Sequence, residues 1–131
     1  MLIDTTVWID FFANKPTHQT IYLEQLISDR EDIYLCGIIL TEILQGIKNS
    51  KEYHQIEKSL RPILFVDMTQ STFILAANIY RKLRTQGVTI RKTADCMIAA
   101  VAIENGLTLL HNDKDFNPIE KYCGLHTKKN N

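Results

Sequence analysis

The sequence predicts a single α/β domain built on a parallel β-sheet, and three observations predict it. Short apolar runs of strand type alternate with longer segments whose apolar residues recur at helical spacing. The chain has 131 residues, which suits one compact domain. Its apolar fraction of 45% can fill a core, and no repeat, low-complexity tract or Gly/Ser-rich linker divides it. The domain is expected to span 1–131, with the last few residues as a flexible tail.

Leu2 and Ile3 open a very short strand that breaks at Asp4, and Thr5 to Phe12 follow as one or two helical turns. Thr17 to Ser28 read as a helix. Ile33 to Cys36 form an apolar strand ended by Gly37, and Ile39, Ile43 and Ile47 draw a helical stripe through Ile38 to Lys48. Residues 51–60 give a more polar helix that Pro62 stops, and Ile63 to Val66 is another short apolar strand. From Ser71 to Thr85, Phe73, Ala76, Ala77, Tyr80 and Leu83 fall at helix spacing, and Gly87 closes the segment. Thr93 to Asn105 is a helix ended by Gly106. Leu107 to Leu110 is the clearest strand and suits burial on both faces, and Leu125 to Thr127 is a further candidate.

Strands that alternate with helices imply right-handed crossovers, and such sheets place their sites just beyond the carboxyl ends of the strands. Four acids meet that rule. Asp4 directly follows the first strand, and Asp113 comes three residues after Leu110. Glu42 lies one turn into the helix after the second strand, with Gly46 leaving space one turn further on. Asp95 is the only polar residue within Ala94–Ile103, so it stands in the first turn of a helix that is otherwise apolar on every side. Such a helix belongs at the centre of a fold.

Taken singly, each acid has an ordinary role. Asp4 can cap the next helix, Asp95 can favour a helix N-terminus, Glu42 can be a solvated helix residue, and Asn112-Asp113-Lys114-Asp115 can be a turn. Taken jointly those roles explain less, because the topology brings all four acids to one end of the sheet. Two carboxylates about 4 Å apart repel by roughly 4 kcal/mol at an effective dielectric of 20. A cluster is therefore tolerable only if some members are protonated or a cation sits among them.

All-oxygen ligands favour a hard ion, Mg²⁺ or Mn²⁺. Zinc is disfavoured, because His18, His54, His111 and His126 show no ligand spacing. An ion held by carboxylates also cancels the repulsion between an acidic pocket and a polyanion, which matters in a chain of formal net charge zero. Charge alone does not hold nucleic acid here. Arg91, Lys92 and Lys114 flank the acids and are candidate phosphate contacts, with plain solubility as their alternative role.

Cys36, Cys96 and Cys123 are odd in number and far apart, which reads as reduced thiols in a cytoplasmic protein. The opening MLIDTTVWID lacks the basic region of a signal peptide, and no apolar run approaches the length of a membrane span.

Four segments carry a resemblance: Asp4-Thr5-Thr6-Val7-Trp8-Ile9-Asp10-Phe11, Thr41-Glu42-Ile43-Leu44-Gln45-Gly46, Arg91-Lys92-Thr93-Ala94-Asp95-Cys96-Met97-Ile98-Ala99-Ala100, and Asn112-Asp113-Lys114-Asp115-Phe116. In order and spacing they resemble the four motifs of PIN-domain nucleases and, more narrowly, the VapC toxins of bacterial type II toxin–antitoxin pairs. The resemblance runs from position 1 to about 120. It implies a three-layer α/β/α sandwich around the parallel sheet and a Mg²⁺- or Mn²⁺-dependent endoribonuclease acting on transfer or ribosomal RNA. It implies catalytic or ligand roles for Asp4, Glu42, Asp95 and Asp113, with Asp4 and Asp95 as direct ligands, and supporting roles for Thr6 and Asn112. Asp113 and Asp115 both fit the fourth motif; Asp113 is taken as the fourth acid and Asp115 as its support. The resemblance also implies a homodimer and a VapB-type antitoxin, in a hetero-oligomer, whose tail lies across the acidic pocket. A chain with nothing beyond the domain suits a stand-alone toxin.

Two other readings fit parts of the sequence. A receiver-like signalling domain also has an acidic pocket at strand ends, and Asp67 after Ile63–Val66 could pass for its phosphoacceptor; it needs adjacent acids after the first strand, where Asp4 is followed by two threonines. A non-enzymatic binding domain with an incidental acidic pocket is the second.

Overall fold

Two residues, Leu2–Ile3, form the strand β1 on which the sheet is built, and neither is exposed to solvent. So short a strand persists because both of its edges are paired. In the computed structural model, which describes residues 1–129, Leu2 lies opposite Tyr34 of β2 (Tyr34–Cys36) on one side. On the other side Leu2 and Ile3 lie opposite Leu109 and Leu110, which form β4. β3 (Leu64–Val66) pairs with β2, and the four parallel strands stand in the order β3-β2-β1-β4.

Seven helices flank the sheet among the described residues: α1 (Thr5–Phe12), α2 (His18–Ser28), α3 (Gly37–Gln45), α4 (Ser50–Leu60), α5 (Gln70–Thr85), α6 (Thr93–Glu104) and α7 (Asn117–Cys123). The result is the α/β/α arrangement around a parallel sheet that the sequence predicts. The strand order fixes where a site can form. The chain builds outward from β1 through β2 to β3, then returns to the opposite side of β1 for β4. That reversal opens a crevice beyond the carboxyl ends of β1 and β4.

α6 is the central helix, as its lack of a polar face requires. From Asp95 to Ala102 every residue but Met97 is buried, and the helix packs on α5 and α3. Because α6 runs back along the sheet before β4 begins, its first turn lies at the same carboxyl edge as the crevice.

Several details depart from the sequence reading. The helix expected to reach Lys48 stops at Gln45, with Gly46 as its cap, because Asn49 is already accepting from the Glu52 amide to start α4. The strand expected over Leu125–Thr127 reduces to one parallel bridge, Thr127 to Leu109, flanked by the Leu109 amide on the His126 carbonyl and the Lys128 amide on the Leu109 carbonyl. The chain is thus held as far as Lys129, whose ammonium meets Glu120; the end of the expected tail, residues 130 and 131, lies outside the described residues. β3 is apolar yet open, with Leu64 43% and Phe65 52% exposed, because it is the sheet edge.

A 3₁₀ turn at Lys114–Phe116 and the helix α7 are additions to the sequence reading. The signals for α7 are present in the sequence: Pro118 at the start, Glu120 in the first turn, and Gly124, which takes the left-handed conformation (φ +76°) just past the end.

No helix among the described residues is long and apolar enough to cross a membrane.

Candidate metal centre

Asp4 is placed by backbone pairing. Its amide donates to the Leu110 carbonyl at 2.9 Å, so the β1–β4 ladder runs through it before the chain turns into α1. The carboxylate then caps that helix: Oδ2 accepts from the Thr6 amide (3.1 Å) and from Thr6 Oγ1 (2.6 Å). Thr6 Oγ1 in turn accepts from the Asn112 amide at 3.1 Å and ties Asp4 to the segment after β4. Asp4 is 2% exposed, and burial holds its carboxyl above the ordinary range against the pull of the Thr6 hydrogen bonds.

Asp95 comes to the same crevice from the first turn of α6 and is 4% exposed. Its Oδ2 is buried without a hydrogen-bond partner and stands 4.0 Å from Lys92 Nζ. Burial lifts this carboxyl to about 7; Lys92 opposes the rise, and the charges of Asp113, Asp4 and Asp115 add to it.

Asp113 follows β4. Its Oδ1 accepts from the Asp115 amide at 2.9 Å, which starts the 3₁₀ turn and holds the two acids side by side. Its own amide donates to His111 Nδ1 at 3.1 Å. Partial burial works against its charge, but the Asp115 amide and Lys92, whose Nζ is 3.3 Å from Oδ2, outweigh this and hold Asp113 below the usual carboxylate range. Asp115 Oδ2 meets the Arg91 guanidinium at 2.9 Å. One carboxylate oxygen from each of Asp95, Asp113 and Asp115 lies within 4.8 Å of the other two.

The sequence-predicted acids therefore divide into two groups. Asp95 and Asp113 meet, and Asp115, expected only as support, joins them as a third equal member. Asp4 is close enough for Asp95 to feel its charge but has no place in that trio, and neither has Glu42. Glu42 is half-buried on α3 and accepts from Thr5 Oγ1 at 2.7 Å, and its charge helps keep the Asp4 carboxyl raised. Asn112 takes part through its backbone amide. Arg91 and Lys92 turn inward onto the acids, while Lys114 is exposed beside Asp113.

Two participants escape the sequence reading. Thr5, the link to Glu42, is signalled only by standing next to a capping acid, and His111 by its spacing of two from Asp113.

This donor set fits a hard divalent ion. All the acids offer oxygen, and no histidine or cysteine joins the group among the described residues. A buried Oδ2 without a hydrogen bond is costly unless something occupies its lone pairs. Asp95, Asp113 and Asp115 could ligate such an ion, with Asp4 near enough for its charge to reach Asp95.

The chain is similar to known proteins over nearly its whole length. Residues 1–122 match the PIN domain family. The chain is 34% identical over 128 residues to the VapC ribonuclease Mb1587 of Mycobacterium bovis and to Ribonuclease VapC11 of Mycobacterium tuberculosis, covering 95% of this chain and 95% of each relative. Among solved structures it is similar to VapBC2 from Rickettsia felis, bound to a DNA fragment from its promoter, with a TM-score of 0.78 at 19% identity, covering 97% of this chain and 96% of that one. It is similar in fold also to FitAcB from Neisseria gonorrhoeae, with a TM-score of 0.77 at 24% identity over 98% of this chain and 96% of that one. With a family match across the crevice-forming segments and relatives of equal length, the chain belongs to the PIN-domain family, on its VapC-like branch.

Proposed function

We propose that this protein is the toxin of a type II toxin–antitoxin pair and acts as a Mg²⁺-dependent endoribonuclease, with Mn²⁺ able to substitute. The observation that carries the proposal is the buried Asp95 carboxylate, whose Oδ2 has no hydrogen bond, clustered with two further carboxylates at the crevice of the sheet. The 34%-identical relatives are named as ribonucleases, which supports RNA as the substrate. Transfer or ribosomal RNA is the class that the family resemblance implies.

In this reading Asp95 and Asp113 are the principal ligands, with Asp115 and Asp4 completing the set. When bound, the ion supplies an activated water and charge stabilisation for in-line hydrolysis of a phosphodiester. The protein's part is positioning. Thr6 fixes the Asp4 carboxylate and the start of the Asn112–Asp113 segment together, and Thr5 holds Glu42 toward the crevice. Glu42 is assigned the catalytic role of orienting or deprotonating water. Arg91, Lys92 and Lys114 at the rim would meet the RNA backbone, so a chain of net charge zero presents local positive charge where the polyanion arrives.

A VapB-type antitoxin and a homodimer complete the proposal. Complexes of VapC-like proteins with their partners are among the similar solved folds. An apolar groove lined by Ile9, Phe12, Ile43, Ile47 and Ile56 offers a seat for a partner segment. The receiver-like alternative finds no support, since Asp67 follows the edge strand β3, two strands away from β1.

The test is cleavage of total RNA by the purified chain. Cutting is expected with Mg²⁺, abolished by EDTA, and reduced at least about a hundredfold in Asp95→Asn and Asp113→Asn with unchanged circular dichroism. Undiminished cutting in EDTA, or full activity in either variant, refutes the assignment.

A further inference from the structure

Lys92 occupies a position that helix physics disfavours. It is the residue at the N-terminal boundary of α6, and its side chain makes no capping hydrogen bond there. A cation at the positive end of a helix dipole is repelled, and lysines are favoured at the opposite end. The compensation is electrostatic. Lys92 Nζ lies 3.3 Å from Asp113 Oδ2 and 4.0 Å from Asp95 Oδ2, and it is the cation paired with Asp95 among the described residues. The adjacent Arg91 takes the third acid, Asp115, from a side chain that is 75% exposed. Three clustered carboxylates thus face two consecutive tethered cations.

We propose that Lys92 is a built-in counter-ion of the carboxylate trio, which a divalent ion must displace in order to bind, so that this one side chain sets how tightly the protein takes up metal. The inference rests on the metal-site reading above and adds a component to it. Both contacts of the ammonium fall on Oδ2 atoms of two proposed ligands. A hard ion of the Mg²⁺ class binds carboxylate oxygen at about 2.1 Å, well inside the ammonium distances. An ammonium and a dication on the same pair of oxygens repel each other, so one must leave. Lys92 can do so, because its side chain is 52% exposed and its four-carbon stem is flexible. Swung outward, the ammonium stands at the rim, where a substrate phosphate would approach. Ion uptake would therefore convert Lys92 from partner of the acids to partner of the phosphate. The arrangement explains how the metal-free protein tolerates the cluster without every acid being protonated.

The experiment is Mn²⁺ titration of the EDTA-stripped full chain, read by calorimetry and by the electron paramagnetic resonance of free Mn²⁺. The dication must break the Lys92 contacts in order to bind, and removing that competing charge is expected to tighten Mn²⁺ binding about tenfold in Lys92→Met. Lys92→Arg, which keeps the charge, is expected to stay within about threefold of wild type. Without metal, Lys92→Met should melt below wild type, and saturating Mn²⁺ should close the gap. Equal or weaker Mn²⁺ affinity in Lys92→Met, or equal tightening in Lys92→Arg, overturns the counter-ion role while leaving the metal site standing. A wild type that takes up no Mn²⁺, or an Asp95→Asn variant that binds it as well as wild type, overturns the metal-site reading and this inference with it.

Discussion

Replacing Asp95 with asparagine should stabilise the metal-free protein at neutral and alkaline pH, and the size of the gain follows from the crevice. In the fold the carboxyl is raised from 3.8 to about 7, chiefly by burial. Each tenfold in proton affinity corresponds to 1.36 kcal/mol, so that span sets a ceiling of about 4 kcal/mol on the cost of charging this group in the fold. Between the two values the folded protein keeps a proton that the unfolded chain has lost. Wild-type stability therefore falls as pH rises through this window, and the full cost is present above about 7. The amide of the Asp95→Asn variant cannot ionise and lacks this slope. The contributions of Asp4 and Asp113 remain in both proteins and largely cancel in the difference. The amide forfeits the Lys92 contact and leaves a polar group in the same dry position, an offset of roughly 1–3 kcal/mol that pH hardly changes. The measurement is urea unfolding in EDTA from pH 4.5 to 8, followed by the fluorescence of Trp8, the only tryptophan and 2% exposed. The stability difference should move in favour of the variant by about 2 to 4 kcal/mol across that range. A difference independent of pH refutes the burial argument.

Two further outcomes follow from contacts already described. Thr6→Ala removes the hydroxyl that joins Asp4 to the Asn112 amide and should cost about 1–3 kcal/mol in denaturant unfolding together with most of the cleavage activity, whereas Thr6→Ser should restore both. If the proposed homodimer forms along the open edge strand, Phe65→Ser should change monomer stability by less than about 0.5 kcal/mol yet weaken self-association in sedimentation; unchanged self-association refutes that placement.

The fold is legible because its signals are local. Alternating short apolar runs and helical stripes give the parallel sheet, and an apolar helix with one acid in its first turn marks both the central helix and the crevice. α7 escapes notice although Pro118 and Gly124 bracket it, because the short, polar stretch between them lacks a clear apolar stripe. The membership of the acid cluster is less legible. Asp113 and Asp115 are two residues apart in a segment whose sequence does not state its turn geometry, and only the hydrogen bond from the Asp115 amide to Asp113 Oδ1 brings both into the trio. Glu42 and Asp4 can be placed at the carboxyl edge from topology, but their distances depend on side-chain partners, Thr5 and Thr6, that a spacing argument does not resolve. The inward turn of Lys92 is hidden for a related reason: a lysine beside acids reads equally as a rim contact.

The pairing of β1 with β4 carries a consequence for biosynthesis. Position 4 leaves the ribosome more than a hundred residues ahead of Leu110, the acceptor of its amide, and the acids at 113 and 115 follow later still. Until Leu110 and the acids at 113 and 115 have been made, the crevice lacks one wall and two of its three clustered carboxylates, so on the proposed ribonuclease reading a nascent chain that stops short of them has no site with which to cut. A product truncated before position 113 would likewise keep Asp95 but lose both of its carboxylate neighbours.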